Sequence, residues 1–467
     1  MPKKKGNLIF LGIAQLFRLG SGLSINVLLM RMLGVEGFGV YGYVMTLVNL
    51  MLFGATLGME RLINRALSRE PERADELVSA GLIATIGLSL LTGLLIVLIA
   101  IGLDGRASVV AAAALGALAL GLQSMASIPE AAIHASRQMK LSVYGHLAGR
   151  VALVGVTVLM LLSGAGLVSV FVAQVVDGLL TLGIIAHMFR RHLSCSWVRP
   201  SLPSLAALVR EALPFGLNLL FGSLYLSVDV VILAWMHDDA AVGSYRGAVM
   251  LIALFPVIAN TLTTGVFPRM SRHLGRPEQA GAELSFVSRV LLAIGLPASV
   301  GGLLLAEPLM VFIGGADFSV SATPFMIMAP LLPLRFLNNG FATTLSALNR
   351  QGDRTRGVLL AAILNLIANL LIIPAHGAAG AAATTLGTEI MLMVWLRWRI
   401  QPVVTGLRLP MTLLRVIVPA AVMALVLVLL PTMHVLVMVT VGAGVYGGVG
   451  LLTGAIQRDD LRQLRRV

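Results

Sequence analysis

Apolar runs of about 20 residues recur along the whole chain, separated by short connections rich in Gly, Arg and Pro. A helix of about 20 residues crosses roughly 30 Å of hydrocarbon. The pattern therefore predicts 14 transmembrane helices, at 8–32, 38–63, 78–102, 107–135, 144–163, 167–189, 211–236, 243–268, 284–305, 321–348, 357–374, 378–398, 411–430 and 434–456. The runs are continuous rather than alternating, which argues against the strands of a transmembrane barrel. The expected fold class is all-α integral membrane.

Polar positions inside the runs repeat. Helices 1 and 2 resemble helices 7 and 8 at an offset of 203 to 204 residues. Gln15, Gly22 and Asn26 match Asn218, Tyr225 and Asp229, and Phe38-Gly39-Val40-Tyr41 matches Val242-Gly243-Ser244-Tyr245. Arg65 falls on Arg269, and Arg137-Gln138 is echoed by Arg350-Gln351. Six helices separate the copies, so both have one orientation and the axis relating them runs along the membrane normal. The expected organisation is two six-helix lobes, 1–200 and 201–402, around a central cavity, followed by 403–467 with two further helices and a basic tail.

Composition and charge sharpen this picture. Hydrophobic residues make up 58% and charged residues 12% of 467 positions, with a mean hydropathy of +0.93, far from the balance of a soluble domain. The net charge of +13 would suit nucleic acid, but 26 of the 34 Lys and Arg lie at the N-terminus, in the even-to-odd loops and in the tail. By the positive-inside rule both termini are cytoplasmic, and the basic residues meet anionic lipid headgroups rather than nucleic acid. Lys3, Lys4 and Lys5 imitate a signal peptide, but Arg18 interrupts the following run, which reads as an uncleaved first helix. The single Cys195 excludes an intramolecular disulfide. P-loop, zinc, nucleophile-elbow and dinucleotide motifs are absent, so the expectation is a non-enzyme without an organic cofactor, driven by an ion gradient, the membrane potential or its substrate's own gradient.

Ionisable residues within spans are the candidate functional groups, because an unpaired charge in hydrocarbon is costly. Helix 1 carries Gln15, Arg18, Gly22 and Asn26 on one stripe, and helix 4 carries Gln123, Ser127, Glu130 and His134. Helix 7 carries Asn218, Gly222, Tyr225 and Asp229. Arg335, Asn339 and Ser346 lie on helix 10, Asn365 and Asn369 on helix 11, Thr385 and Glu389 on helix 12. Arg18, Asn26, Glu130 and Arg335 are assigned to a substrate cavity, while Arg150 and Asp177 on adjacent helices can pair with each other. Prolines 129, 214, 256, 297, 324, 330 and 333 sit in or at the ends of spans, where bending serves alternating access.

Leu33-Gly34-Val35-Glu36-Gly37-Phe38-Gly39-Val40-Tyr41 followed by Gly58-Met59-Glu60-Arg61 resembles the opening hairpin of bacterial polysaccharide flippases. Pro214-Phe215-Gly216 through Asp229 to Val242-Gly243-Ser244-Tyr245 is similar to their seventh and eighth helices. These flippases share a superfamily with multidrug and toxin extrusion (MATE) antiporters and the lipid II flippase. The resemblance implies a MATE-like fold in the bacterial inner membrane. It implies a flippase moving undecaprenyl-diphosphate-linked oligosaccharide from the cytoplasmic to the periplasmic leaflet for O-antigen-type polysaccharide, alongside polymerase and assembly proteins. A cation-coupled multidrug exporter is the alternative within the same fold. By likeness to the lipid II flippase, Asp229, Asn365, Asn369 and Thr385 stand where a sodium ion is held. Asn369 departs from the acidic residue expected there, which leaves sodium or a proton as the coupling ion. The resulting expectation is a division of labour, with anion binding weighted to the first lobe, ion coupling to the second, and Arg335 the main exception.

Overall fold

The computed structural model describes residues 2–193, 195–407, 409–431 and 433–455, except for the side chains of residues 2–16, 18, 19, 218 and 226. Arg18 and the basic C-terminal tail thus lie outside the described residues. All regular structure among the described residues is helical, and the chain divides into two compact units, Met1–Trp235 and Met236–Val467.

The first unit contains α1 (Pro2–Leu50), α2 (Leu52–Thr56), α3 (Met59–Arg69), α4 (Ala74–Leu103), α5 (Ala107–Ala135), α6 (Lys140–Leu162), α7 (Val168–His192) and α8 (Leu202–Met236), the last of which ends at the unit boundary. The division falls at the end of α8, about one span beyond the repeat boundary at 200. Gly34 breaks α1 with φ 66°, where the Gly-rich connection was predicted. α5 lies between α4 and α7 and carries small buried residues, Ala112, Ala113, Gly116, Ala117 and Ala119, that let helices approach closely. α4 turns Leu90, Leu91, Leu94 and Leu98 outward. Water would not tolerate such an apolar face, and hydrocarbon does. The connection after α7 is tied to α4 by Ser196 N–H donating to Asp75 Oδ1 (2.9 Å) and Val198 N–H to Ser79 Oγ (3.2 Å). There burial and the neighbouring Asp75 push the Cys195 thiol up to about 12.

The second unit contains α9 (Asp239–Ile252), α10 (Pro256–Ser271), α11 (Pro277–Leu304), α12 (Ala306–Gly314), α13 (Ala322–Met328), α14 (Leu331–Ala347), α15 (Gln351–Ile400), α16 (Leu409–Leu429) and α17 (Val435–Thr453). α10, α11 and α14 share a core of Val266, Phe286, Leu291 and Phe336. α16 and α17 pack on α11 through Val416, Met423, Leu427 and Tyr446, so the last two helices belong to this unit.

Eleven helices among the described residues are long and apolar enough to cross a membrane, or twelve when α13 and α14, bent by 44° across Ala329 and Pro330, count as one span. The predicted number of 14 differs from this because two of the eleven are runs of 50 residues, Gly20–Arg69 and Gln351–Ile400. At 1.5 Å per residue each run is about 75 Å of helix, more than twice the hydrocarbon thickness. α15 doubles back at Gly377, whose φ is 52°. Its halves pair antiparallel, with Asn365 Nδ2 donating to Thr388 Oγ1 at 3.3 Å and Trp395 Nε1 to the Asp353 carbonyl at 2.9 Å.

The predicted spans 38–63 and 243–268 are not continuous. The first breaks around Met51 and again at the left-handed pair Leu57 and Gly58, and the second breaks at Ala253–Phe255. At the repeat offset Met51 falls on Leu254, so the two units share this break.

Candidate functional site

The first unit encloses a cavity of about 700 Å³. Its polar wall comes from four helices with the right period. Gln123, Ser127, Glu130 and His134 are spaced by three or four residues on α5, Ser142, His146 and Arg150 by four on α6, and Asp177 and Thr181 by four on α7. Glu60 and Arg61 enter from the first turn of α3. The left-handed Gly58 aims that turn, and it sits so close to Phe215 of α8 that a Cβ there would lie 2.6 Å from the Phe215 Cβ. The α5 stripe predicted from the sequence thus faces the cavity as a whole.

At the centre, Glu130 is held by two imidazoles. His146 Nε2 stands 2.9 and 3.1 Å from its two carboxylate oxygens, and His134 Nε2 stands 3.5 Å from Oε1. The Ser142 hydroxyl donates to the Met139 carbonyl at 3.0 Å, so it accepts from His134 Nε2–H, also at 3.0 Å. Glu130 is 13% exposed and His146 51%, which leaves the carboxylate enclosed and the second ring open to the cavity. Arg61 and Arg150 line the same space with no ion-pair partner among the described residues. Arg150 and Asp177 make no ion pair within 4 Å, and Asp177 Oδ1 accepts from Thr181 Oγ1 at 3.3 Å. α6 can approach Asp177 because position 149 is glycine, where a methyl group would collide with Asp177 Oδ1 and Thr181 Oγ1.

The other anticipated residues are dispersed. Asn26 Nδ2 donates to the Gly22 carbonyl one turn back at 2.8 Å, and neither residue lines the cavity. Asp229, in the first unit, is buried and Oδ1 accepts from Val230 N–H at 2.8 Å. Arg335, expected as a cavity cation, is neutralised. Its Nε donates to Glu389 Oε1 at 2.9 Å while Asn338 Nδ2 donates to Oε2 at 2.8 Å. Glu389 was legible on the helix 12 stripe, but nothing in the sequence paired it with helix 10.

Asn365 and Asn369 form a buried ladder in which Asn369 Nδ2 donates to Asn365 Oδ1 at 3.0 Å and Thr384 Oγ1 to Asn369 Oδ1. The neighbour Thr385 instead donates to the Ala381 carbonyl at 2.9 Å and stands 3.4 Å from Tyr245 Oη. Oxygen-rich chemistry suits a hard cation. Each amide oxygen of the ladder accepts one hydrogen bond and keeps its second lone pair, so the second unit retains buried oxygens of that kind.

Residues 5–274, more than half of the chain, match the profile of the family described as polysaccharide biosynthesis protein. The chain belongs to that family. Residues 214–371 also match the MatE profile. Among relatives, a probable low-salt glycan biosynthesis flippase, Agl15, of Haloferax volcanii is 24% identical over 81% of this chain and 79% of its own. An Escherichia coli (strain K12) protein named "Putative O-antigen transporter" is 24% identical over 83% of this chain and 94% of its own. The lipid II flippase MurJ in an inward closed conformation superposes with a TM-score of 0.79 at 15% identity, covering 97% of this chain and 99% of that one. An inward-facing MATE family multidrug resistance transporter gives 0.65 at 15% identity over 84% and 95%. At these identities the structural likenesses establish the fold alone, which this chain shares with those two structures.

Proposed function

We propose that this multi-pass membrane protein is a flippase for a lipid-linked oligosaccharide, moving the diphosphate and glycan across the membrane by alternating access for surface polysaccharide assembly. The observation that carries this reading is the first-unit cavity, where Arg61 and Arg150 make no ion pair within 4 Å among the described residues and stand beside Gln123 and a row of hydroxyls. A polyprenyl tail can remain in lipid while the diphosphate and sugars, which cannot be left unsolvated in hydrocarbon, take the polar cavity. Guanidinium groups bind diphosphate oxygens through forked, charge-assisted hydrogen bonds, and the wall of Gln123, Ser124 and Ser127 suits sugar hydroxyls. The basic even-to-odd loops support cytoplasmic termini, an inner-membrane location and contact with anionic lipids. The reading extends to delivery of the product to a polymerase or other assembly proteins on the far side. In this reading the coupling ion, sodium or a proton, is assigned to Asp229, Asn365, Asn369 and Thr385 by the likeness to the lipid II flippase.

The test is complementation of surface glycan in the source organism deleted for this gene. Arg150→Gln is expected to cut glycan at least tenfold at normal membrane abundance, in line with the roughly 1.5–3 kcal/mol of a charged hydrogen bond. Normal glycan in the deletion strain itself would defeat the proposal. A second reading, a cation-coupled drug exporter, is favoured by the MatE match and by the three carboxylates of the cavity, Glu60, Glu130 and Asp177. It predicts unchanged glycan and raised sensitivity to cationic dyes in the same strain.

A further inference from the structure

In the second unit the basic ends of the two halves of α15 meet around Asp353. Its carboxylate, 6% exposed, binds Arg399 and accepts from Arg350 Nη1 at 3.2 Å, while Arg354 Nη1 donates to Ser346 Oγ at 3.2 Å. The Arg399 guanidinium also stands 5.9 Å from the centre of the Trp395 ring and 5.1 Å from that of Trp398, and the two rings meet edge to face at 5.6 Å. Trp395 spends its N–H on the Asp353 carbonyl. Trp398 is thus clamped in place, yet it is 56% exposed and its indole N–H has no partner among the described residues. The exposed Arg356 guanidinium likewise makes no ion pair or hydrogen bond there. These two free donors share a side of the hairpin. Gly357 lies against Trp395, and in antiparallel helices turning about 100° per residue Arg356 and Trp398 then project the same way, about 3 Å apart in depth. Beneath them Leu360, Ile363 and Ile367 follow Arg356 at helical spacing and Val394 lies one turn from Trp398, each at least 37% exposed. From Leu360 to Leu371 this apolar face is about 16 Å long, half of the roughly 30 Å of hydrocarbon.

We propose that this side of the α15 hairpin binds one anionic phospholipid of the phosphatidylglycerol kind, its phosphate between the Arg356 guanidinium and the Trp398 indole N–H and one acyl chain along Leu360, Ile363, Ile367 and Val394. A guanidinium gives a phosphodiester forked, charge-assisted hydrogen bonds. The clamped indole supplies a second donor with little rotamer freedom left to lose. An apolar floor one leaflet deep selects a lipid over free phosphate, and the surrounding arginines repel the quaternary ammonium of a zwitterionic headgroup. With the orientation proposed above, the site opens to the cytoplasmic leaflet, where anionic lipids collect. The general attraction of basic loops for that leaflet sums over every arginine, whereas this site depends on two residues. Arg397 supplies the contrast. It too makes no ion pair among the described residues, but it lies about 200° round the helix from Trp395 and Arg399 and so points away from the first half of α15. A lipid held by both halves ties them together, whatever the protein transports.

Native mass spectrometry of the full-length protein, titrated in detergent with phosphatidylglycerol or with phosphatidylcholine of the same chains, tests the site. One phosphatidylglycerol is expected to bind about tenfold more tightly than phosphatidylcholine, and Arg356→Gln should remove that preference. Trp398→Phe, which keeps a ring and loses the donor, should weaken binding about threefold. Arg397→Gln should leave it within about twofold, as expected of a charge outside the site. Phosphatidylglycerol should also raise the unfolding temperature of the wild type more than that of Arg356→Gln, because a ligand of the folded state stabilises it. Millimolar inorganic phosphate should neither displace the lipid nor reproduce this stabilisation. Equal binding of the two lipids by the wild type, or displacement by phosphate, would overturn the proposal, and neither result requires a variant to fold. Equal losses in Arg356→Gln and Arg397→Gln would overturn it too, by reducing the site to the summed charge of the surface.

Discussion

The two units share a broken second span yet treat their charges in opposite ways. In the second unit Arg269 sits 3.0 Å from Glu283, Arg335 2.9 Å from Glu389, and Arg399 on Asp353, each guanidinium held by a carboxylate that is at most 10% exposed. In the first unit Arg61 and Arg150 face a cavity without a carboxylate partner among the described residues, and Glu130 is held by titratable imidazoles rather than by a guanidinium. A charge that is neutralised in place ties helices together. A charge left open, or balanced only by a group that can change its own charge, remains available to a ligand. The partner given to each charge thus distinguishes the two units.

The most severe way to break this contrast is to strand a charge in the second unit. Arg335→Leu leaves the 6% exposed Glu389 carboxylate without its cation and should cost about 3 kcal/mol. Thermal unfolding of the purified protein and its abundance in the membrane report this. Replacing both partners, Arg335→Met with Glu389→Leu, should recover most of the loss, because a buried pair is worth little more than well-packed apolar side chains. If the single variant unfolds at the wild-type temperature, Arg335 is not a structural cation and its place in the substrate route returns.

A gentler probe compares two glycines at helix contacts. Gly149 on α6 faces Asp177 and Thr181, and Gly357 on the first half of α15 faces Trp395. An added methyl group collides in both places, and overpacking of this kind costs typically 1–3 kcal/mol. Gly149→Ala and Gly357→Ala should therefore lower the unfolding temperature to a similar extent. Only Gly149→Ala moves cavity residues, so only it should weaken sugar diphosphate binding. A binding loss in Gly357→Ala of equal size would mean that the cavity reads the packing of the whole molecule rather than of α6 on α7.

Much of this was legible before any coordinates. Continuous apolar runs give an all-helical membrane fold, and the α5 stripe of Gln123, Ser127, Glu130 and His134 follows from helical period alone and meets the cavity intact. What period cannot reveal is which faces of different helices meet. His146 and Arg150 share a face four residues apart, yet their approach to Glu130 depends on the packing of α6 against α5 and α7, so a scattered histidine gave no sign of its partner. The same blindness hid the pairing of Arg335 with Glu389, 54 residues away, and the choice of Thr384 rather than Thr385 for the amide ladder. The breaks at Leu57 and Gly58 and at Ala253–Phe255 were hidden for a different reason. The first carries no proline, and Pro256 just after the second marks a place where a span can bend without saying whether it does, so the backbone dihedrals are what locate the breaks.

The smallest effect is expected at one of the exposed ion pairs of the first unit, which also pairs Arg65 with Glu211 and Arg73 with Glu70 and Glu76. In the turn between α4 and α5, Arg106 grips Asp104 with both ends of its fork, Nε to Oδ1 at 2.7 Å and Nη2 to Oδ2 at 2.6 Å, and its backbone N–H donates to Oδ1 at 3.1 Å. The side-chain hydrogen bonds from Arg106 hold the Asp104 carboxyl below the usual carboxylate range, against partial burial. A depressed carboxylate contributes stability above its unfolded value and loses it as pH falls through the folded one. The contribution should therefore be complete at neutral pH and vanish only in acid. Because the arginine is half exposed, solvent screens the pair, and Asp104→Asn should cost no more than about 0.5–1 kcal/mol at pH 7, with the difference closing toward pH 3. Thermal unfolding at the two pH values checks this. A loss at pH 7 as large as that of Arg335→Leu would show that pairing, and not burial, sets the value of an ion pair in this protein, and the contrast between the units would have to be rebuilt on different ground.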